Sequence, residues 1–176
     1  MTKFNADTVQ QFMAAANKKF HGQNLGMTVA HPAASYTFNK KTNKLIKLVF
    51  TCSITEDFAQ VGGGKPDKAN KDAIKEVADR AEAHEDKHKA GYNVAFKKFD
   101  ADGTAKDLMA KTYKNEKEAK DAIHAKREEL TASLKTACLA LHQSEGLLVV
   151  TPQKDGSFDI TMKAAGATGC DDSIKM

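Results

Sequence analysis

Two long segments of the chain carry the apolar spacing of amphipathic helices. In residues 71–99, apolar and histidine side chains recur every three or four positions, as they do along one face of a helix. Residues 115–143 show the same periodicity, and shorter helices are predicted at 6–20 and 105–112. The pattern therefore predicts two long helices as the main elements of the fold.

Alternating apolar and polar residues predict a small antiparallel sheet in the first half of the chain. Residues 27–31 are predicted as a short strand, and 35–39 and 44–54 as two strands on either side of the polar turn KKTN. Further on, 147–151 and 157–163 flank the turn QKDG and predict a hairpin. Helices and strands that are segregated in this way predict an α+β fold, with the two long helices packed on the sheet.

The length and composition fit a single globular domain. The chain has 176 residues, of which 41% are hydrophobic and 28% charged, and this length suits one domain with a substantial core. We therefore predict one domain over residues 1–176, with a loosely held tail from about 164. The apolar runs are far shorter than the roughly 20 residues that span a bilayer, so we expect no transmembrane segment.

The charges give no sign of a nucleic-acid partner. The net charge is only +4, and the lysines are mixed with acidic residues instead of forming a basic stripe. Tryptophan is absent and aromatic residues make up 7% of the chain, which argues against a stacking platform for single strands. Specific nucleic-acid binding is therefore not expected.

The three cysteines are far apart, which excludes a CxxC motif. We expect Cys138 to pair with Cys170, because the helix that ends near the first and the strand that precedes the second bracket the predicted hairpin. Cys52, on the apolar face of a strand, is then expected to be a buried free thiol. Such a disulfide favours an exported or secreted protein from which any leader has been removed.

The segment His84-Glu85-Asp86-Lys87-His88 has the pattern HExxH. On a helix, residues i and i+4 lie one turn apart on the same side, so His84 and His88 can present their imidazoles to one metal ion. Both belong to the apolar stripe, where polar groups without partners are costly and a metal ion would satisfy them. The alternative is two core histidines that are hydrogen-bonded to carbonyl or carboxylate groups.

These residues resemble the active-site helix of the zincin superfamily of zinc metallopeptidases. The resemblance covers His84, Glu85 and His88, with a strand before the helix and a second long helix after it. It implies that both histidines bind zinc, that Glu85 is the catalytic base, and that the substrate is a peptide or protein. The metzincin pattern HExxHxxGxxH is matched by Gly91 but not by Val94, which stands at the third histidine position, so that branch is not supported.

The sequence leaves the third zinc ligand open. We expect His124, which lies in the second long helix beside the apolar Ile123, since imidazole is a good zinc ligand. This layout is also loosely similar to that of poorly characterised bacterial putative proteases. Glu116 and Glu128 are the alternatives, and a site with no third protein ligand is also open. His142 has no partner that the pattern identifies and is expected at the surface or in a loop.

Two classes of function are compatible with this sequence. The first is a zinc-dependent hydrolase in which Glu85 is the general base for a metal-activated water. The second is a non-enzymatic binding or interaction protein whose HExxH is incidental or purely structural. Most zincins have uncharged residues beside the two histidines, whereas Asp86, Lys87 and Lys89 are charged, so we expect that side of the helix to be exposed. The sequence does not define the substrate or the oligomeric state.

Overall fold

The computed structural model describes residues 1–21, 25–165, 170 and 173–175. The fold is α+β, as predicted. In chain order the elements are β1 (Thr2–Phe4), α1 (Val9–Phe20), β2 (Gly26–Asn39), β3 (Lys44–Val61), α2 (Lys68–Ala101), α3 (Thr104–Ala110), α4 (Glu116–Ser144), β4 (Leu147–Pro152) and β5 (Phe158–Lys163).

The two long helices that the periodicity predicts are α2, with 34 residues, and α4, with 29. The start of each helix is marked by a side chain that accepts a hydrogen bond from a backbone N–H group of the first turn. Asp67 Oδ1 accepts from the N–H of Asn70 at 2.8 Å, and Asn115 Oδ1 accepts from the N–H of Glu118 at 3.0 Å. Such caps satisfy donors that have no partner within the helix, so the starts of both helices are encoded locally.

The larger sheet has three strands in the order β1-β3-β2. The turn between β2 and β3 spans only residues 40–43, and so short a connection joins antiparallel neighbours. β1, which the sequence pattern did not predict, runs parallel to β3 and pairs Thr2 with Ala59 and Phe4 with Val61. The sheet is therefore mixed rather than purely antiparallel as predicted.

Segments 27–31 and 35–39 were predicted as separate strands but belong to one strand, β2, of 14 residues. Pro32 lies inside it, where it cannot donate a backbone hydrogen bond. β2 stands at the edge of its sheet, and an edge strand tolerates such a loss. The smaller sheet is the antiparallel hairpin of β4 and β5, as predicted.

The chain divides into two compact units, each built from three stretches. Unit 1 consists of Met1–Thr28, Thr55–Lys89 and Leu139–Gly169, and unit 2 consists of Val29–Ile54, Ala90–Cys138 and Cys170–Met176. This division does not test the prediction of a single domain over residues 1–176, which stays a prediction. Within the described residues, no helix is both long and apolar enough to cross a membrane.

Unit 1 has a hydrophobic core between α1, the beginning of α2 and the hairpin. Its buried members include Val9, Phe12, Ala16, Phe20, Ile74, Val77, Ala81, Leu148 and Ile160. The residues from α1 and α2 are spaced by three or four, so one face of each helix is covered. The core is therefore continuous with the same stripe of α2 that carries the HExxH histidines.

Unit 2 is held by helix packing and by a disulfide. Gly91 of α2 approaches Ala137 of α4 so closely that a Cβ on the glycine would lie 3.7 Å from the alanine Cβ. Cys138 and Cys170 form the predicted disulfide, with their Cα atoms 5.9 Å apart, so neither sulfur is a free thiolate for metal binding. Cys52 is free as predicted, but it is half-buried rather than buried, and desolvation raises its pKa.

The described parts of the tail beyond 164 are held by backbone hydrogen bonds. Ala165 donates to the carbonyl of His142 at 3.0 Å in unit 1. In unit 2, Ala30 donates to Ser173 at 2.9 Å and accepts from Lys175 at 3.0 Å. The rest of the predicted loose tail, residues 166–169, 171–172 and 176, lies outside the described residues.

Candidate metal centre

The parts of α2 and α4 that belong to unit 1 bring three histidines together. His84 and His88 lie one turn apart on α2 and are 9% and 6% exposed, while His142, near the end of α4, is 7% exposed. The two α2 histidines continue the stripe that begins with Ile74 and Val77 in the core. Burial of this stripe is therefore what turns both imidazoles inward.

The imidazoles meet through one kind of atom, Nε2. The Nε2 atom of His88 lies 3.1 Å from that of His84 and 3.0 Å from that of His142. Potential ligand atoms of all three residues lie within 4.8 Å of one another, so the group could hold a metal ion. Residues separated by 54 positions along the chain thus meet at one point.

The spacing of these nitrogens is compatible with a metal ion as well as with hydrogen bonds. A tetrahedral zinc with Zn–N bonds of about 2.0–2.1 Å places its ligand nitrogens about 3.3–3.4 Å apart, close to the observed separations. An uncharged ring nitrogen carries either one proton or one lone pair. Nε2 of His88 therefore serves one of its two close neighbours well but not both, whereas a shared cation would use a lone pair from each ring.

The protonation states also suit a metal ion. Desolvation, together with the charge that His142 would carry when protonated, lowers the pKa of His84 to about 4. Desolvation and the two neighbouring histidines lower the pKa of His88 to about 3. Both are uncharged near pH 7, which is the state that binds metals. The buried Nδ1 of His84 has no hydrogen-bond partner among the residues that the structure describes, and it carries the proton when Nε2 is a ligand.

Glu85 lies on a different side of α2 and is 5% exposed. Its Oε2 accepts a hydrogen bond from the Thr28 hydroxyl of β2 at 2.7 Å. Desolvation raises the pKa of Glu85 to about 7, although the hydrogen bonds from Thr28 oppose this shift. The carboxyl group can therefore both accept and release a proton near neutral pH.

The charged residues beside the histidines are exposed, as predicted, and two of them form ion pairs. Lys87 pairs with Glu145, three residues beyond His142 at the end of α4. Lys89 pairs with Glu56 of β3 at 2.5 Å. These lysines, which depart from the uncharged zincin pattern, therefore tie the HExxH turns to two other elements of unit 1.

His124, the predicted third ligand, does not belong to the histidine group. It lies in unit 2, where its side chain is 55% exposed and pairs with Glu128 at 3.4 Å. His142 lies on the same helix 18 residues further along, a rise of about 27 Å. Because His142 is the residue that meets His88, a ligand so far along α4 cannot reach the same ion.

Glu116 and Glu128, the two acidic alternatives, also interact with residues outside the histidine group. Glu128 forms the pair with His124, and Glu116 lies in unit 2 at the start of α4. There Glu116 accepts a hydrogen bond from the hydroxyl of Tyr36 at 3.4 Å and pairs with Lys120 at 3.7 Å. Neither glutamate belongs to the group of possible metal ligands that His84, His88 and His142 form.

His142 was missed although the sequence contained a signal for it. Leu130, Leu134, Cys138 and His142 follow one another at intervals of four, and all four are buried. This spacing places His142 on the buried face of α4, one turn beyond two leucines and a cysteine. The predicted stripe ended at Leu141 and left the histidine outside it.

Comparison of the chain with protein-family models, with curated proteins and with solved structures finds no match.

Proposed function

We propose that the protein is a zinc-dependent peptide hydrolase whose metal ligands are His84, His88 and His142. The observation that supports this most is the position of the His88 Nε2 atom, which lies 3.1 Å from Nε2 of His84 and 3.0 Å from Nε2 of His142. Catalytic zinc sites have three protein ligands and keep a fourth position open, whereas structural sites are closed by four. Three histidines correspond to the catalytic type.

Zinc, when bound, would supply a Lewis acid that lowers the pKa of a water molecule toward 7. Glu85 would take a proton onto a carboxylate oxygen as the water attacks the peptide carbonyl, and would pass it to the leaving amine. A pKa of about 7 suits both transfers, because the group is neither a weak base nor a weak acid near neutral pH. Peptide as the substrate class follows from the resemblance of HExxH to the zincins.

A metal-stabilised binding protein is the second candidate. It is favoured by the burial of Glu85, which is 5% exposed and hydrogen-bonded to Thr28. A general base must reach the proton that it removes, and a carboxylate held against a strand serves equally well as a structural tie. In either case we infer an oxidising compartment, because the disulfide between Cys138 and Cys170 would not persist in a reducing one.

The test combines elemental analysis with digestion of a broad peptide library. Wild type and Glu85→Gln are each expected to hold about one zinc ion per chain, because the substitution leaves all three histidines in place. Glu85→Gln should cleave at least about a hundredfold more slowly, since general-base assistance is worth 10²–10⁴. Glu82→Gln, at an exposed position of the same helix, is the matched control and should behave as wild type.

The outcomes separate the two candidates. Equal cleavage by wild type and Glu85→Gln would rule out Glu85 as the base. Zinc without any cleavage in the wild type would favour the metal-stabilised binding protein. Protein folded without a chelator and free of stoichiometric metal would contradict both candidates.

A further inference from the structure

We propose that Thr28 is a positioning residue for Glu85 and that its hydroxyl fixes the orientation of the carboxylate that transfers the proton. This inference rests on the proposed function, since it concerns the same general base. Nothing in the HExxH pattern points to Thr28, which lies 57 residues earlier in the chain and on a strand. The contact is visible only once β2 and α2 are placed side by side in unit 1.

Thr28 is 2% exposed, and its Oγ1 donates to Oε2 of Glu85 at 2.7 Å. The same hydroxyl lies 3.3 Å from the backbone carbonyl of Glu85. A hydroxyl has one proton, and the shorter contact to the carboxylate is the stronger hydrogen bond. The chain just before the strand that carries Thr28 is held within unit 1, where the N–H of Ala59 donates to the carbonyl of Leu25 at 2.8 Å.

Gly26 completes the support for the Glu85 side chain. A Cβ at position 26 would lie 2.7 Å from Cγ and from Oε1 of Glu85, and 2.9 Å from Cδ. The side chain of Glu85 therefore lies directly against the backbone of β2, in space that any other residue would fill. Gly26 fixes where the side chain runs, and Thr28 fixes how its carboxylate is turned. A general base that is held in this way does not have to be oriented at the moment of reaction.

Removal of the hydroxyl alone should weaken the positioning of Glu85 without removing the base. Thr28→Val keeps the branched shape and the strand preference, and it is expected to lower kcat about tenfold with KM unchanged. Thr28→Ser keeps the donor and should restore most of the activity. Thr37→Val, at an exposed position of the same strand, is the control and should match wild type. In a Glu85→Gln background, Thr28→Val should cause no further loss.

A second readout does not depend on activity. Gly26→Ala should lower the Tm of wild type by several degrees but that of Glu85→Ala by much less, because the atoms it would collide with are gone. The Tm shifts of Thr28→Val and Glu85→Ala should likewise fail to add, as expected for residues in contact. Zinc content should stay unchanged in Thr28→Val.

The failures are distinguishable. Thr28→Val with full activity beside an inactive Glu85→Gln would overturn this inference and leave the proposed function intact. Additive Tm shifts would also overturn it, because they would show that the contact is not formed. A zinc-loaded wild type that cleaves no peptide would remove the proposed function, and this inference with it.

Discussion

His124 and His142 lie on the same helix and on the same side of it, yet only one of them meets the HExxH histidines. They are 18 residues apart on α4, which is about five turns and about 27 Å along the axis. His124 is exposed beside Glu128, whereas His142 is buried and lies 3.0 Å from His88. Periodicity thus identifies the face of a helix but not the level at which another element meets it.

The largest effect should come from replacing His142, but not His124, with alanine. His142→Ala is expected to reduce the bound zinc from about one ion per chain to none, because two histidines on one helix leave too few ligands. The loss of affinity should exceed the 10- to 100-fold that removal of a mere supporting residue costs. His124→Ala should keep its zinc. Elemental analysis of protein that was never chelated measures both.

The reverse result would break the comparison. Zinc retained by His142→Ala and lost by His124→Ala would show that the meeting of His88 with His142 is not the metal site. Circular dichroism of each variant provides the control, because zinc content is informative only for folded protein.

The disulfide offers a second, smaller effect at the same end of α4. Cys138 lies one turn before His142, and its bond to Cys170 spans 32 residues. A loop of this length predicts that Cys138→Ser with Cys170→Ser lowers the free energy of unfolding by about 3–4 kcal/mol. Zinc content should remain unchanged, because Lys87 still pairs with Glu145 beside His142. Denaturant unfolding and elemental analysis provide the two measurements.

Cys52→Ser is the matched control, and it should shift the free energy of unfolding far less because Cys52 is free. A thiol count on unreduced, denatured wild type should give one free thiol per chain. Three free thiols would show that the disulfide is absent.

The smallest effect is expected at the ion pair of His124, the exposed histidine of the two. His124 and Glu128 form an exposed i,i+4 pair, so we expect Glu128→Ala to change the free energy of unfolding by no more than about 0.5 kcal/mol. Thermal unfolding of this variant, with and without a chelator, should give the same metal-dependent shift as wild type. A larger loss that the chelator abolishes would return the site to His124.

Local signals in the sequence were sufficient for much of the fold. Apolar periodicity identified α2 and α4, and the turn QKDG identified the hairpin of β4 and β5, because contacts between close neighbours define these elements. β1 was missed, since its three residues gain their structure by pairing with β3 some 57 positions away. The break predicted between 31 and 35 was wrong because the edge position of β2 tolerates Pro32.

The candidate site shows the same difference between residues with a local sequence signal and residues that distant contacts bring together. His84, Glu85 and His88 lie within five adjacent residues, so the sequence alone is enough to single them out as candidates. His142 required the choice between several helix levels, which depends on how α4 passes α2 within unit 1. Thr28 carries no signal at all, because an ordinary strand threonine becomes significant only when its hydroxyl meets a buried carboxylate.

Gly26 has a consequence for how this sequence can change. It has no functional group, yet a methyl group at its position would collide with the side chain of Glu85. Substitutions at position 26 are therefore restrained by the residue at position 85, because a larger side chain there requires the Glu85 side chain to shift or to be shortened. A glycine without any functional group is thus coupled to the HExxH glutamate by the space that it leaves for it.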